Sequence, residues 1–166
     1  MQAERSVERL TFQLKDKLTV ILDDKVKQSF QEVQQGKKFQ LESGGIMIGI
    51  LVRDRTIQIT DITKPQEYDV CQKFRFFRKR KGHQAAMDSI WKSSGYRKMY
   101  LGEWHTHDEP CPIPSWIDSS GWRRIVRSKN NSPWMLFVII GTVHIRMWTV
   151  DGGKIEELVI DEDQPI

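Results

Sequence analysis

Apolar residues in this chain fall into short runs cut by turn residues, with a few stretches where they recur at helical spacing. The run at 18–22, Leu-Thr-Val-Ile-Leu, reads as a strand. Asp23 and Asp24 stand where a helix cap belongs, and Val26, Phe30 and Val33 repeat at helical spacing until Gly36. Residues 44–52 are apolar on both faces, as a buried strand would be. Asp54 and Arg55 form a turn, and 56–62 alternates, so the two stretches predict a hairpin. From 63 to 78 no period holds, and Lys64-Pro65 with mixed charges predicts a loop. A helix is expected over 79–93, with Ala86, Met87, Ile90 and Trp91 on one side and Gly95 past its end. The strand expected at 99–104 delivers His105 at its C-terminal end. Pro112 and Pro114 break the chain before a helix from 115 to about 126, packed through Ile117, Gly121, Trp122 and Ile125. Strands at 134–140, 143–150 and 155–160 follow, the last two joined by Asp151-Gly152-Gly153. The alternation predicts an α/β fold: a mixed, largely antiparallel sheet with helices packed on it.

Length changes the picture little: 166 residues suit one domain, 1–166, with its core over about 18–160. No apolar stretch approaches the roughly 20 residues that span a bilayer, and Met1-Gln-Ala-Glu-Arg-Ser lacks the apolar core of a secretory leader. Two cysteines, Cys71 and Cys111, exclude a disulfide framework and a cysteine-based zinc knuckle. The simplest expectation is a cytoplasmic protein without a membrane partner. The net charge of +4 is mildly basic, and much of it lies in 73–81, where Lys and Arg interleave with Phe74, Phe76 and Phe77.

The chemistry concentrates in Gly102-Glu-Trp-His105-Thr-His107, then seven residues, then Ser115-Trp-Ile-Asp118. Residues i and i+2 of a strand share a face, so His105 and His107 can meet one ion. Ser115 and Asp118, three apart at a helix start, share another face, and Pro114 suits that helix entry. Two imidazoles and a carboxylate are a ligand set suited to one Zn²⁺ per chain. Three protein ligands leave a position for water, as in a catalytic rather than a structural site. Glu42, just ahead of the buried strand, is the candidate base for metal-assisted hydrolysis. Glu103 is a candidate to support the ligands from behind. His83 and His144 are read as structural, His144 facing solvent. Cys111 as a nucleophile would need a histidine the zinc reading already uses. A zinc deaminase signature fails because Pro114 stands where its second cysteine belongs.

The pattern Glu-x-x-Gly-x-x-x-Gly beginning at Glu42, followed by His-x-His-x7-Ser-x-x-Asp, resembles the JAMM/MPN metalloprotease family. The resemblance implies a cytidine-deaminase-like fold with a curved mixed sheet flanked by helices. It implies Zn²⁺ on His105, His107 and Asp118, Glu42 as general acid/base, and Ser115 at the oxyanion. Asp108 departs from the family, which usually carries proline there. Closer still, Gly-Glu-Trp-His-Thr-His-x-Glu-Pro followed by Pro-Ser-x-Ile-Asp resembles the bacterial JAB peptidases of CBASS antiphage operons. That implies cleavage after the C-terminus of a conjugated cyclic-oligonucleotide synthase, reversing ubiquitin-like conjugation, with a link to an E1/E2-like conjugating protein.

Alternatives stay open at this point. The protease could serve another bacterial ubiquitin-like system or process sulfur-carrier fusions, or the domain could be a noncatalytic adaptor using the basic segment. Phe74, Phe76, Phe77 and Arg78 are expected to wall a groove for an extended peptide tail. With a peptidase site at hand, that reading is preferred to single-stranded nucleic acid on the same segment.

Overall fold

The computed structural model describes residues 9–36, 41–128 and 132–161. Its elements run β1 (Leu10–Leu14), β2 (Leu18–Leu22), α1 (Asp24–Gln35), β3 (Gly44–Arg53), β4 (Thr56–Ile62), β5 (Val70–Gln72), β6 (Arg75–Phe77), α2 (Arg80–Ser93), β7 (Met99–Thr106), α3 (Trp116–Arg127), β8 (Leu136–Ile140), β9 (Ile145–Asp151) and β10 (Lys154–Ile160). The strands curl into a closed barrel in the order β1-β10-β9-β8-β7-β3-β4-β2. The pairs β2–β4 and β7–β8 are parallel and the rest antiparallel, which bears out the mixed, largely antiparallel α/β expectation.

Two sequence expectations need correction. The stretch expected as loop from 63 to 78 contains the small β5–β6 hairpin, paired from Val70↔Phe77 to Gln72↔Arg75. Three-residue strands hold too few positions for alternation to register. β1 was not foreseen either. It pairs with β2 on one side and β10 on the other, and so closes the barrel. The pairing with β2 is a local hairpin, whereas the pairing with β10 joins residues about 150 apart in sequence, which local pattern does not reveal.

β8 explains why its sequence is apolar throughout. Leu136, Val138 and Ile140 face one core with Val26 and Phe30 of α1, and Phe137 and Ile139 face a second with Trp122 of α3. Trp122 stacks on Phe137 at 4.8 Å between ring centroids. The helices are thereby fixed on opposite faces of the same strands, and burying both faces stabilises each layer through the other. Trp104, on β7, is buried against Phe30 and donates its indole N–H to Thr63 O at 2.9 Å. His83 is buried, as expected of a structural histidine, and His144 is exposed.

Candidate metal centre

β7 alternates its side chains, so Trp104 and Thr106 enter the core while Glu103 and His105 face outward into a cleft. His107 lies just past the strand, held by its N–H to Ile140 O at 3.0 Å. β3 runs antiparallel beside β7 with Gly44 opposite His105, which brings Glu42 alongside the histidines. Gly44 is required there: a Cβ would lie 2.3 Å from Trp104 O and 2.9 Å from the Phe76 ring. Asp118 arrives from the first turn of α3. Ser115 is the helix N-cap, its Oγ accepting from Asp118 N at 3.1 Å while Asp118 Oδ2 accepts from Ser115 N at 2.7 Å. This capping box aims the carboxylate at the histidines and leaves the Ser115 hydroxyl proton free to donate.

The three side chains named from their spacing converge. His105 Nε2 lies 3.0 Å from His107 Nε2 and 3.2 Å from Asp118 Oδ1, and His107 Nε2 lies 3.2 Å from Asp118 Oδ2. An ion binding at about 2.0–2.1 Å in tetrahedral geometry holds neighbouring donors about 3.3 Å apart, so the set fits a divalent ion. Glu42 Oε1 stands 4.0 Å from His107 Nε2, beside the triad rather than within it. All four side chains are 12–15% exposed and line the same cleft, so the site is sheltered yet reachable from it.

Electrostatics follow from that crowding. Burial opposes the charge of Asp118, yet hydrogen bonds with His105 and His107 hold its carboxyl well below the usual range. Burial likewise opposes a charged His107, but Asp118 and Glu109 outweigh it and push its pKa up to about 9. Glu42 moves the other way: burial raises its pKa, and the two histidines only partly pull it back. A carboxylate with a raised pKa is a better proton acceptor than one at its ordinary value.

Glu103 does not support the histidines. Its Oε1 accepts from Arg78 Nε at 2.9 Å, Arg78 Nη2 at 2.6 Å and the Tyr100 hydroxyl at 3.3 Å. The supporting carboxylate is Glu109, whose Oε1 lies 3.0 Å from His107 Nδ1 and also accepts from Ile113 N at 3.0 Å. With the Nδ1 proton held by Glu109, it is the Nε2 proton, shared with Asp118, that His107 gives up to bind an ion. The signal for Glu109 was its i+2 spacing from His107, but no strand continues there to make the spacing meaningful. Cys111 is exposed, and its Sγ lies 3.6 Å from Arg146 Nη1 rather than beside a histidine.

The cleft is about 730 Å³. One side is the β5–β6 hairpin, the other is α3 and the loop before it, and β7 forms the floor. Phe74, Phe76, Phe77 and Arg78 all line it, and Phe74 is 78% exposed. The Glu42 N–H donates to Gln72 O at 2.7 Å, so the hairpin also holds the backbone of the candidate base.

The family model described as prokaryotic homologs of the JAB domain matches residues 28–151, a span containing every residue of this site. The chain belongs to the prokaryotic JAB family. A CD-NTase/cGAS isopeptidase of Vibrio cholerae is 37% identical to the JAB chain over 100 residues, 60% of this chain and 62% of that protein. A protein of the same name from Pseudomonas aeruginosa is 32% identical over 126 residues, 76% of this chain and 79% of that one. A probable metalloprotease of Sinorhizobium fredii is 30% identical over 89 residues, 53% and 54% of the two chains. The match thus spans less than two thirds of the Vibrio protein's length. The names of these relatives describe isopeptidases and a probable metalloprotease. The solution structure of a Desulfitobacterium hafniense protein shares the JAB chain's fold, with a TM-score of 0.57 over 82% of this chain and 87% of that one at 17% identity. Among the described residues, no helix is long and apolar enough to cross a membrane.

Proposed function

We propose that this protein is a zinc-dependent isopeptidase that cuts the bond after the C-terminus of a conjugated protein. The proposed target is a CD-NTase, a cyclic-oligonucleotide synthase, joined to a partner by an E1/E2-like conjugating protein in a CBASS antiphage system. The observation that carries the reading is the convergence of His105, His107 and Asp118 beside Glu42, in a family whose named relatives include CD-NTase/cGAS isopeptidases.

His105, His107 and Asp118 would hold the zinc. When bound, zinc supplies an acidified water and polarises the scissile carbonyl. Glu42 accepts the proton of the attacking water and returns it to the departing amine, a task suited to a carboxylate whose pKa burial has raised. Ser115 donates its free hydroxyl proton to the carbonyl oxygen as negative charge grows there, and the α3 N-terminus favours that charge. Glu109 keeps His107 in one tautomer throughout.

The test is to incubate the protein with a CD-NTase fused through its C-terminus to a reporter, with zinc and then with a chelator. Release of the intact CD-NTase only with zinc supports the reading. Failure to cut this fusion while cutting ubiquitin-like or sulfur-carrier fusions would move the substrate elsewhere. A protein that cuts none of them would be an adaptor.

A further inference from the structure

The middle of α3 carries a glycine that packing does not require. Gly121 lines the cleft, and the Cβ it lacks would meet nothing within 4 Å. Glycine inside a helix costs ~1 kcal/mol relative to alanine, so filling the position would stabilise the helix at the expense only of room in the cleft. Ile117, Gly121 and Arg124 stand at i, i+4 and i+7, one stripe along that wall. Gly121 thus leaves open space on the cleft wall between Ile117 and Arg124.

Charge divides unevenly along the cleft. The carboxylates of Glu42, Glu109 and Asp118 gather at the histidines, with Asp108 near them, and Glu103 is matched by Arg78. Lys73, Arg75 and Arg124 also line the cleft, and none has a carboxylate partner among the described residues. The Arg75 guanidinium lies 4.0 Å from the Phe77 ring centroid and the Lys73 ammonium 5.2 Å from that of Phe74. Stacking holds these cations against the wall without consuming their N–H donors.

Taking the peptidase reading as its basis, we propose that the cleft selects a substrate segment bearing an acidic side chain. The segment crosses α3 over Gly121, and Arg75 and Arg124 hold the carboxylate. A peptide fits these walls better than single-stranded nucleic acid, which needs open aromatic faces to stack on. Phe76 is packed over Gly44 and Phe77 is covered by Arg75, which leaves Phe74 exposed.

The experiment uses the zinc-loaded Glu42→Gln protein and fluorescent ten-residue peptides of Gly, Ser, Ala and Leu, with Asp or Lys scanned through every position. Anisotropy is expected to show about tenfold tighter binding for Asp than for Lys at one or two adjacent positions, the worth of a charge-assisted hydrogen bond. Added salt shrinks the difference. Arg75→Gln and Arg124→Gln each remove most of it, Arg124→Glu inverts it toward Lys, and Gly121→Leu weakens all the peptides while raising the melting temperature. Equal binding of Asp and Lys peptides at every position would overturn the proposal, as would a dT oligonucleotide bound more tightly than the best acidic peptide. Turnover by the wild-type protein separates the two readings. Charge-selective binding without cleavage sinks the peptidase and leaves the selection standing, whereas cleavage indifferent to charge does the reverse.

Discussion

His107 and Glu109 face one another at 3.0 Å, Nδ1 to Oε1, across a loop that leaves the barrel just after β7. The same Glu109 oxygen takes the Ile113 N–H, and the Glu109 carbonyl accepts from Thr142 N at 2.9 Å. One residue thus orients an imidazole and anchors the loop leading to Ser115 and Asp118. Glu109→Gln keeps the shape but weakens the acceptor. Zinc affinity is expected to fall ~10–100-fold, the usual effect of losing such a partner, as read by competition with a chromophoric chelator. An unchanged affinity would show that the His107 ring is held by its packing alone.

Proton and metal compete for His107. Its pKa is pushed up to about 9 by Asp118 and Glu109, which outweigh its burial, so the ring is protonated at pH 7 and must lose that proton to offer Nε2 to an ion. Zinc uptake at pH 7 is therefore expected to release protons, and affinity to rise with pH until the pH passes 9. Calorimetry in buffers of different ionisation enthalpy measures the release. Proton uptake on binding would contradict the sign.

Glu42 is expected to matter for turnover and not for metal. Glu42→Gln should retain zinc and lose ~10²–10⁴-fold in kcat, the range of a positioned acid/base. His107→Ala should lose zinc and activity together. Metal analysis beside single-turnover kinetics distinguishes the two, and near-normal turnover of Glu42→Gln would remove it from the chemistry.

Asp69 ties off both ends of the β5–β6 hairpin. Its Oδ1 accepts from Lys79 N at 2.7 Å and its Oδ2 from Gln66 N at 2.7 Å. His83 Nε2 lies 2.7 Å from that Oδ2, and its Nδ1 lies 2.6 Å from Thr63 Oγ1. Asp69→Asn is expected to raise KM for a fused substrate more than it lowers kcat, because the hairpin wall loosens while the triad stays whole. Stability should fall by ~1–3 kcal/mol, the cost of a buried group losing a partner, and zinc content should not change. A fall in kcat with KM intact would mean that the hairpin does not position substrate.

Acid stability should depend on Asp61. Burial opposes its charge, but Lys25 at 2.7 Å, Lys98 at 2.6 Å and the Thr60 hydroxyl lower its pKa from 3.8 to about 2. A depressed carboxylate adds stability that is complete above its unfolded pKa and is lost as pH falls through the folded value. The contribution is on the order of 2 kcal/mol at neutral pH, and it fades between about pH 4 and pH 2. Urea midpoints of the wild type and Asp61→Asn should differ at pH 7 and converge near pH 2. A constant gap across that window would show that the ion pairs contribute nothing that depends on charge.

The strands and helices were legible wherever the apolar period was long enough to repeat, as in 44–52, 56–62 and the three helices. So was the candidate ligand set, because strand geometry puts residues i and i+2 on one face and a helix start puts i and i+3 together. These are properties of neighbours along the chain, and a linear pattern records them. Leu10-Thr-Phe-Gln-Leu14 does alternate and forms a hairpin with β2, but the closure of the barrel depends on the chain-distant pairing of β1 with β10, which no local pattern marks. The exchange of Glu103 for Glu109 behind the histidines depends on where the loop after β7 bends, and the pinning of Glu42 by Gln72 depends on where β5 docks. Those contacts exist only after the chain has folded back on itself, since their partners are chosen by packing rather than by spacing.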